Sequence, residues 1–249
     1  VTSNLNPIHV SLNLLTGCTK KSAGCVNCYA ERHARRLSED ADPNVAWKYR
    51  KVFTLTEHPE LLSKNIGGSP KLIFLNSMSD TFHDDVSKSF MERTFDFVRR
   101  HPQHIFQVLT KRAERLSVVV DYPTNVWLGV TVEKAEYLYR IDYLVETNAK
   151  VKWVSFEPLL GPINSENIRF LDWAVVGGES GPRCRPMDLD WARGIKGDCE
   201  KYGVPFFFKQ RGGPGRDKGG DLLDGEKYKM WPASLSNCEL TQYELFEKF

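Results

Sequence analysis

The sequence predicts an α/β chain of parallel βα units, six or seven of them, enough for an open or complete barrel. Three observations carry that expectation. Short β-rich runs alternate with helix-length stretches through most of the chain. Several runs, such as IFLN, WAVV and PFFF, are nearly continuous apolar segments, as parallel strands buried on both faces must be. The intervening stretches repeat apolar residues at three-and-four spacing, the period of a helix with one buried face.

In chain order, residues 8–15 form a candidate first strand. Six clear strands follow at 71–76, 104–110, 125–131, 151–157, 173–178 and 204–209. Helices are expected at 29–37, 88–100, 133–147 and 190–202. Glycine and charge crowd residues 211–224, which read as a mobile loop. The barrel is thus expected to occupy 1–224, with 225–249 as a short C-terminal cap.

The chain of 249 residues can bury one large core, and 41% hydrophobic with 27% charged residues is a globular composition. No run approaches the roughly 18 apolar residues of a membrane span, and the first thirty residues show no charged-then-apolar signal pattern. A cytoplasmic address without a membrane partner is expected, the host cytoplasm if a phage encodes the chain. A net charge of +2 is too small to define a nucleic-acid binder, so anionic partners must be argued from local clusters.

Parallel α/β folds place their chemistry where strands end. Every predicted exit here carries polar or charged groups. In order they are Ser77, Ser79 and Asp80; Lys111 and Arg112; Thr131 and Glu133; Ser155 and Glu157; Gly177, Gly178 and Glu179; and Lys209, Gln210 and Arg211. With Arg183 and Arg185, six cations gather at these exits, which predicts an anionic substrate, phosphate being the commonest choice. Lys111, Lys209 and Glu157 are the candidate catalytic groups, and Arg112, Glu179, Arg183, Arg185, Gln210 and Arg211 the candidate substrate contacts. Two exits have structural readings as well: Asp80 as a helix N-cap, and Glu157 as part of a rigid turn before Pro158.

Six cysteines in a chain of this size do not form a disulfide framework. Cys18, Cys25 and Cys28 fall within one short loop as C-x6-C-x2-C, between the first strand and the helix at 29–37. Three thiolates can hold a [4Fe–4S] cube and leave its fourth iron open to a small ligand. The competing reading is tetrahedral zinc on the same three cysteines with His33. Cys184, Cys199 and Cys238 are isolated and read as small buried hydrophobes.

These residues resemble a family of phage- and bacteria-borne proteins that looks like a compact branch of the radical S-adenosylmethionine (SAM) superfamily. The matching stretches are TGCTKKSAGCVNCYAER at 16–32, FLNSMSDTFHDDV at 74–86, FQVLTKRAERL at 106–116, NVWLGVTVE at 125–133, VSFEPLLGPI at 154–163, WAVVGGESGPRCRPMDLDW at 173–191 and PFFFKQRGG at 205–213. The resemblance implies a partial (β/α) barrel of about six parallel strands, a [4Fe–4S] cluster on Cys18, Cys25 and Cys28, bound SAM, and an electron donor for the cluster. It also implies that SAM contacts come from Ser77, Ser79, Asp80, Thr131, Glu133, Ser155, Gly177, Gly178 and Tyr29. Together with the phage setting, the cationic exits suggest a nucleotide or DNA base as substrate, such as a modified thymine in phage DNA.

Two features depart from the superfamily pattern. The first gap holds six residues rather than three, with Asn27 where an aromatic residue is usual. The chain also reads Leu12-Asn13-Leu14 where many relatives carry Trp-Asn-Pro. Two readings from other classes compete: a zinc-stabilised nucleic-acid-binding module without catalysis, and a hydrolase with a metal on Asp80, Glu133 and Glu157. No His pair at metal-binding spacing supports the second.

Overall fold

A computed structural model describes residues 9–236. Its centre is one curled sheet of seven parallel strands: β1 (His9–Leu12), β2 (Leu72–Leu75), β3 (Ile105–Thr110), β4 (Val126–Thr131), β5 (Val151–Phe156), β6 (Trp173–Gly177) and β7 (Phe206–Gln210). The spatial order follows the chain order, each strand pairing in parallel with the next. The sheet is a half-barrel whose two edges, β1 and β7, do not pair with each other, so the closed barrel allowed by the strand count does not form.

The strand sequences explain the layering. All six residues of β4, VWLGVT, are buried, as expected of a strand covered on both faces. On one face Phe106, Val108, Leu128, Val130, Val154, Val176 and Phe208 enter the main core. Helices α2 (Lys88–Arg99), α3 (Tyr139–Val145) and α4 (Leu189–Tyr202) cover that face through Phe90, Phe95, Ile141, Leu144, Ala192 and Ile195. The alternate residues form a second cluster on the inner face: Leu72, Ile105, Trp127, Val151, Trp153, Trp173 and Val175. Trp231 stacks on Trp173 there, with ring centroids 4.8 Å apart.

Local chemistry sets the helix ends. Ser87 accepts from the Phe90 amide at 3.1 Å and opens α2, while Asp188 accepts from the Asp190 amide at 2.9 Å and opens α4. The expected helix at 133–147 is shorter than its periodicity, beginning as a 3-10 turn at Ala135–Tyr137 before α3. Helix α1 (Tyr29–Ser38) follows the cysteines and buries Ala30 and Ala34 against Tyr49 and Met78.

Residues 211–224 are not loose. Arg211 donates its amide to the Gly220 carbonyl at 2.9 Å, and Gly212 to that of Lys218 at 2.8 Å, closing the loop on itself. The expected cap is described as far as residue 236. Within it, Tyr228 and Met230 run antiparallel to the β7 edge, where the Phe208 amide donates to the Tyr228 carbonyl at 2.8 Å. Positions 237–249, Cys238 included, lie outside the described residues, as does the start of the 8–15 strand.

Candidate functional site

The strand exits gather at one end of the half-barrel, and the cysteine loop crosses it. The anchoring begins at the β1 and β2 exits. Asn13 accepts from the Met78 amide at 3.1 Å, and Asn76 accepts from the Leu14 and Leu15 amides at 2.8 and 3.0 Å. Ser79 donates its hydroxyl to the Gly17 carbonyl at 2.6 Å. The loop therefore leaves β1 already fixed to its neighbour.

Asp80 is buried and fully engaged. One oxygen accepts from the Phe82 amide at 2.9 Å and the Thr110 hydroxyl at 2.7 Å; the other accepts from the Lys111 amide and from Arg112 Nη1, both at 3.2 Å. Its carboxylate joins the β2 and β3 exits. Arg112 continues the chain of contacts, donating to Thr19 Oγ1 at 2.8 Å and reaching Cys18 Sγ at 3.6 Å. Burial and then Asp80 push the Cys18 thiol up to about 11, against the pull of Arg112. The Thr19 amide points to Nε2 of buried His83 at 3.2 Å.

At the β4 exit, Glu133 has no exposure and pairs with buried Arg140 at 2.9 Å. It accepts the Ser22 hydroxyl, and Lys111 Nζ stands 4.0 Å away. Gly24 packs directly on this carboxylate: a Cβ there would lie 2.3 Å from Glu133 Oε1, so no larger residue fits unless Glu133 shifts. At the β6 exit, Glu179 accepts from Asn27 Nδ2 at 3.0 Å and from Arg185 Nη2 at 2.6 Å. Burial pushes the Glu179 carboxyl up, but hydrogen bonds from Arg185 and Asn27 outweigh it and hold the group below its ordinary value. Arg185 also donates to the Ala23 carbonyl at 3.0 Å.

Both departures in the cysteine motif thus have a physical role. The six-residue gap supplies Thr19, Ser22, Ala23 and Gly24, which reach the β3, β4 and β6 exits. Asn27, where an aromatic was expected, supplies an amide to Glu179 and to the Arg183 carbonyl.

The remaining predicted residues form a second group. Ser155 donates to Glu157 at 3.3 Å, Gln210 donates to it at 3.0 Å, and Lys209 Nζ lies 3.2 Å from it. A Cβ on Gly177 would sit 2.6 Å from Glu157 Oε1, and one on Gly178 would sit 1.9 Å from the Arg211 carbonyl oxygen, so the paired glycines let the β5, β6 and β7 exits converge. Thr131 and Ser155 are register partners on adjacent strands. Tyr29 donates its hydroxyl to the Ser77 carbonyl.

The structure partly neutralises the six predicted cations. Lys111, Arg112, Arg185 and Lys209 face carboxylates, while Arg183 and Arg211 form no ion pair among the described residues. Sequence reasoning did not single out Asn13, Ser22, Asn76, His83 or Arg140. Only Arg140 left a signal, a charge within the apolar stretch Tyr139-Arg140-Ile141. The loop also borders an open cleft of about 630 Å³ lined by Cys18, Thr19, Arg35, Lys51, Phe53 and Asp85, among others, which the predicted rim residues do not line.

Among the described residues, no three His, Cys, Asp or Glu side chains converge closely enough to hold a metal ion. This holds for the three cysteines, for the cysteines with His33, and for Asp80, Glu133 and Glu157. No helix among the described residues is long and apolar enough to cross a membrane.

Fold and site together define an α/β half-barrel protein with a three-thiol loop fastened across the C-terminal ends of its strands. The chain belongs to the family described as protein of unknown function (DUF5131), which it matches over residues 2–232. No curated protein and no solved structure matches it.

Proposed function

We propose that the chain is a radical SAM enzyme that modifies an anionic substrate, best read as a nucleotide or a DNA base such as a modified thymine. The observation that carries this reading is placement: a C-x6-C-x2-C loop follows the first strand of a curled parallel sheet and is fastened over its C-terminal end by the β2, β3, β4 and β6 exits.

The donor set fits an iron–sulfur cluster. Cys18, Cys25 and Cys28 are partly exposed free thiols on one loop, a soft set suited to that group. The Lys21 amide points to Cys25 Sγ at 3.5 Å and Arg112 to Cys18 Sγ at 3.6 Å, the kind of donors that surround cluster thiolates. As they stand the three sulfurs do not converge, so holding a cluster requires the loop side chains to close on it. When bound, the cluster supplies the electron that cleaves the SAM sulfonium, and an external electron donor restores it.

The chain's own residues bind and orient. Glu157 carries exchangeable side-chain partners in Lys209 and Gln210, so it can pass from them to a ligand ammonium or hydroxyl. Lys209, half-exposed, is then freed for an anion. Lys111 stands between Thr131 and Glu133, partly exposed at the same rim.

Anaerobic reconstitution with iron and sulfide tests the class. A brown protein with about four irons is expected, releasing 5′-deoxyadenosine from SAM with dithionite as reductant. Replacing Cys18, Cys25 and Cys28 together with serine is expected to remove both properties. A preparation that takes up only zinc overturns the reading. Failure of nucleotides and of single- and double-stranded DNA to alter 5′-deoxyadenosine release overturns the substrate assignment and leaves the class standing.

A further inference from the structure

Arg112 is 2% exposed, and every nitrogen of its guanidinium is engaged. Nε donates to Asp84 at 3.1 Å, Nη1 to Asp80 at 3.2 Å and to Cys18 Sγ at 3.6 Å, and Nη2 to the Thr19 hydroxyl and carbonyl at 2.8 and 3.1 Å. Asp80 is itself fixed by Thr110 and two amides, so the guanidinium cannot swing away without taking the counter-charge from a buried carboxylate. Its donors are turned into the protein, which leaves none for a substrate.

We propose that Arg112 is a positioning residue for Cys18: it fixes the first cysteine of the loop to the β3 exit and offsets the Asp80 charge at that sulfur with its own, holding the reduction potential of the cluster above the value it would have without the guanidinium. The proposal rests on the iron–sulfur reading given above. A donor and a positive charge beside a cluster thiolate favour the state that carries one more electron. Asp80 and Asp84 oppose that charge, and Asp84 is the one that can be altered without unpairing a buried group, since its side chain is 57% exposed. A lysine at 112 would keep the charge but lose the planar fork that spans Asp80, Asp84 and Thr19.

The test reconstitutes the wild type, Arg112→Gln, Arg112→Lys and Asp84→Asn, counts iron, and follows one-electron reduction by dithionite with electron paramagnetic resonance in the absence of SAM. Arg112→Gln is expected to reduce at a more negative potential than the wild type at matched iron content. Arg112→Lys is expected to fall between them, and Asp84→Asn to shift in the positive direction. If Arg112→Gln does not fold, Arg112→Lys decides: it keeps the charge but not the fork, and a wild-type potential in it overturns the proposal. Wild-type potentials in every folded variant overturn the proposal while leaving the cluster in place. A wild-type protein that takes up no iron overturns the iron–sulfur reading and this inference with it.

Discussion

Asp80 and Glu157 are both carboxylates at strand exits with a cation beside them, yet the two halves of the rim use them differently. Asp80 is buried and takes four hydrogen bonds, two of them from backbone amides that cannot move away. Glu157 takes only side-chain partners, and Lys209, its ion-pair partner, is 52% exposed. A carboxylate held by backbone donors and a buried guanidinium is a joint. One held by a serine, a glutamine and a solvated lysine can exchange partners at little cost. The β2 to β4 exits, with Glu179 and Arg185 at β6, thus hold the cysteine loop, and the β5 and β7 exits are left able to meet a ligand.

The sharpest way to break this contrast is to remove a carboxylate from each half. Glu133→Ala leaves Arg140 buried with its Nε already lacking a partner, and a loss of about 3–5 kcal/mol is expected. Asp80→Asn is expected to fall in the same range, about 3–5 kcal/mol, because Arg112 then loses its buried counter-charge. Glu157→Gln, by contrast, is expected to cost about 1 kcal/mol or less. Urea unfolding of the three variants checks this, and equal losses for Glu133 and Glu157 would dissolve the division of the rim.

A smaller effect sharpens the same point within the loop. Gly24→Ala places a methyl group 2.3 Å from Glu133 Oε1, and about 1–3 kcal/mol of destabilisation is expected from the crowding. The change should also expose residues 19–27 to limited proteolysis before the rest of the chain. Cleavage that begins elsewhere would show that Gly24 does not seat the loop.

How much of this was legible in the sequence depends on the kind of interaction. The strands could be read because burial on both faces forces continuous apolar runs, and Val126–Thr131 and Val151–Phe156 lie within the expected bounds. The strand-exit residues could be read because a parallel sheet puts all its C-terminal ends together. Which of them hold the loop could not be read. Asp80, Glu133 and Glu179 look no different in sequence from Glu157, and only the long-range contacts to Arg112, Ser22 and Asn27 separate them. The cationic rim was overread for the same reason, since Arg112–Asp80 and Arg185–Glu179 become ion pairs only once the exits are in register. Residues such as Asn13 and Asn76 act through their amides on backbone groups far along the chain, and composition carries no trace of that.

The smallest expected effect concerns pH, and it separates the two halves without removing a charge pair. Burial, and then Arg112, hold the buried His83 imidazole below its ordinary value. The unfolded chain takes up that proton at about pH 6.5, whereas the folded chain resists it. The stability tied to neutral His83 is therefore complete above about pH 6.5 and is lost progressively as the pH falls from there toward the folded value. His33, His58 and His104 are shifted in the same direction by burial, so the wild-type slope is shared among them. His83→Gln keeps an acceptor for the Thr19 amide but cannot take up the proton, and it should reduce the acid slope measured by urea unfolding between pH 7 and pH 5 without abolishing it. Protonated His83 can no longer accept from Thr19, so the loop should become more open to proteolysis at low pH in the wild type and less so in the variant. An unchanged slope in His83→Gln would mean that His83 is not among the groups that set the acid dependence, and unchanged low-pH proteolysis in the variant would mean that its contact with Thr19 does not hold the loop.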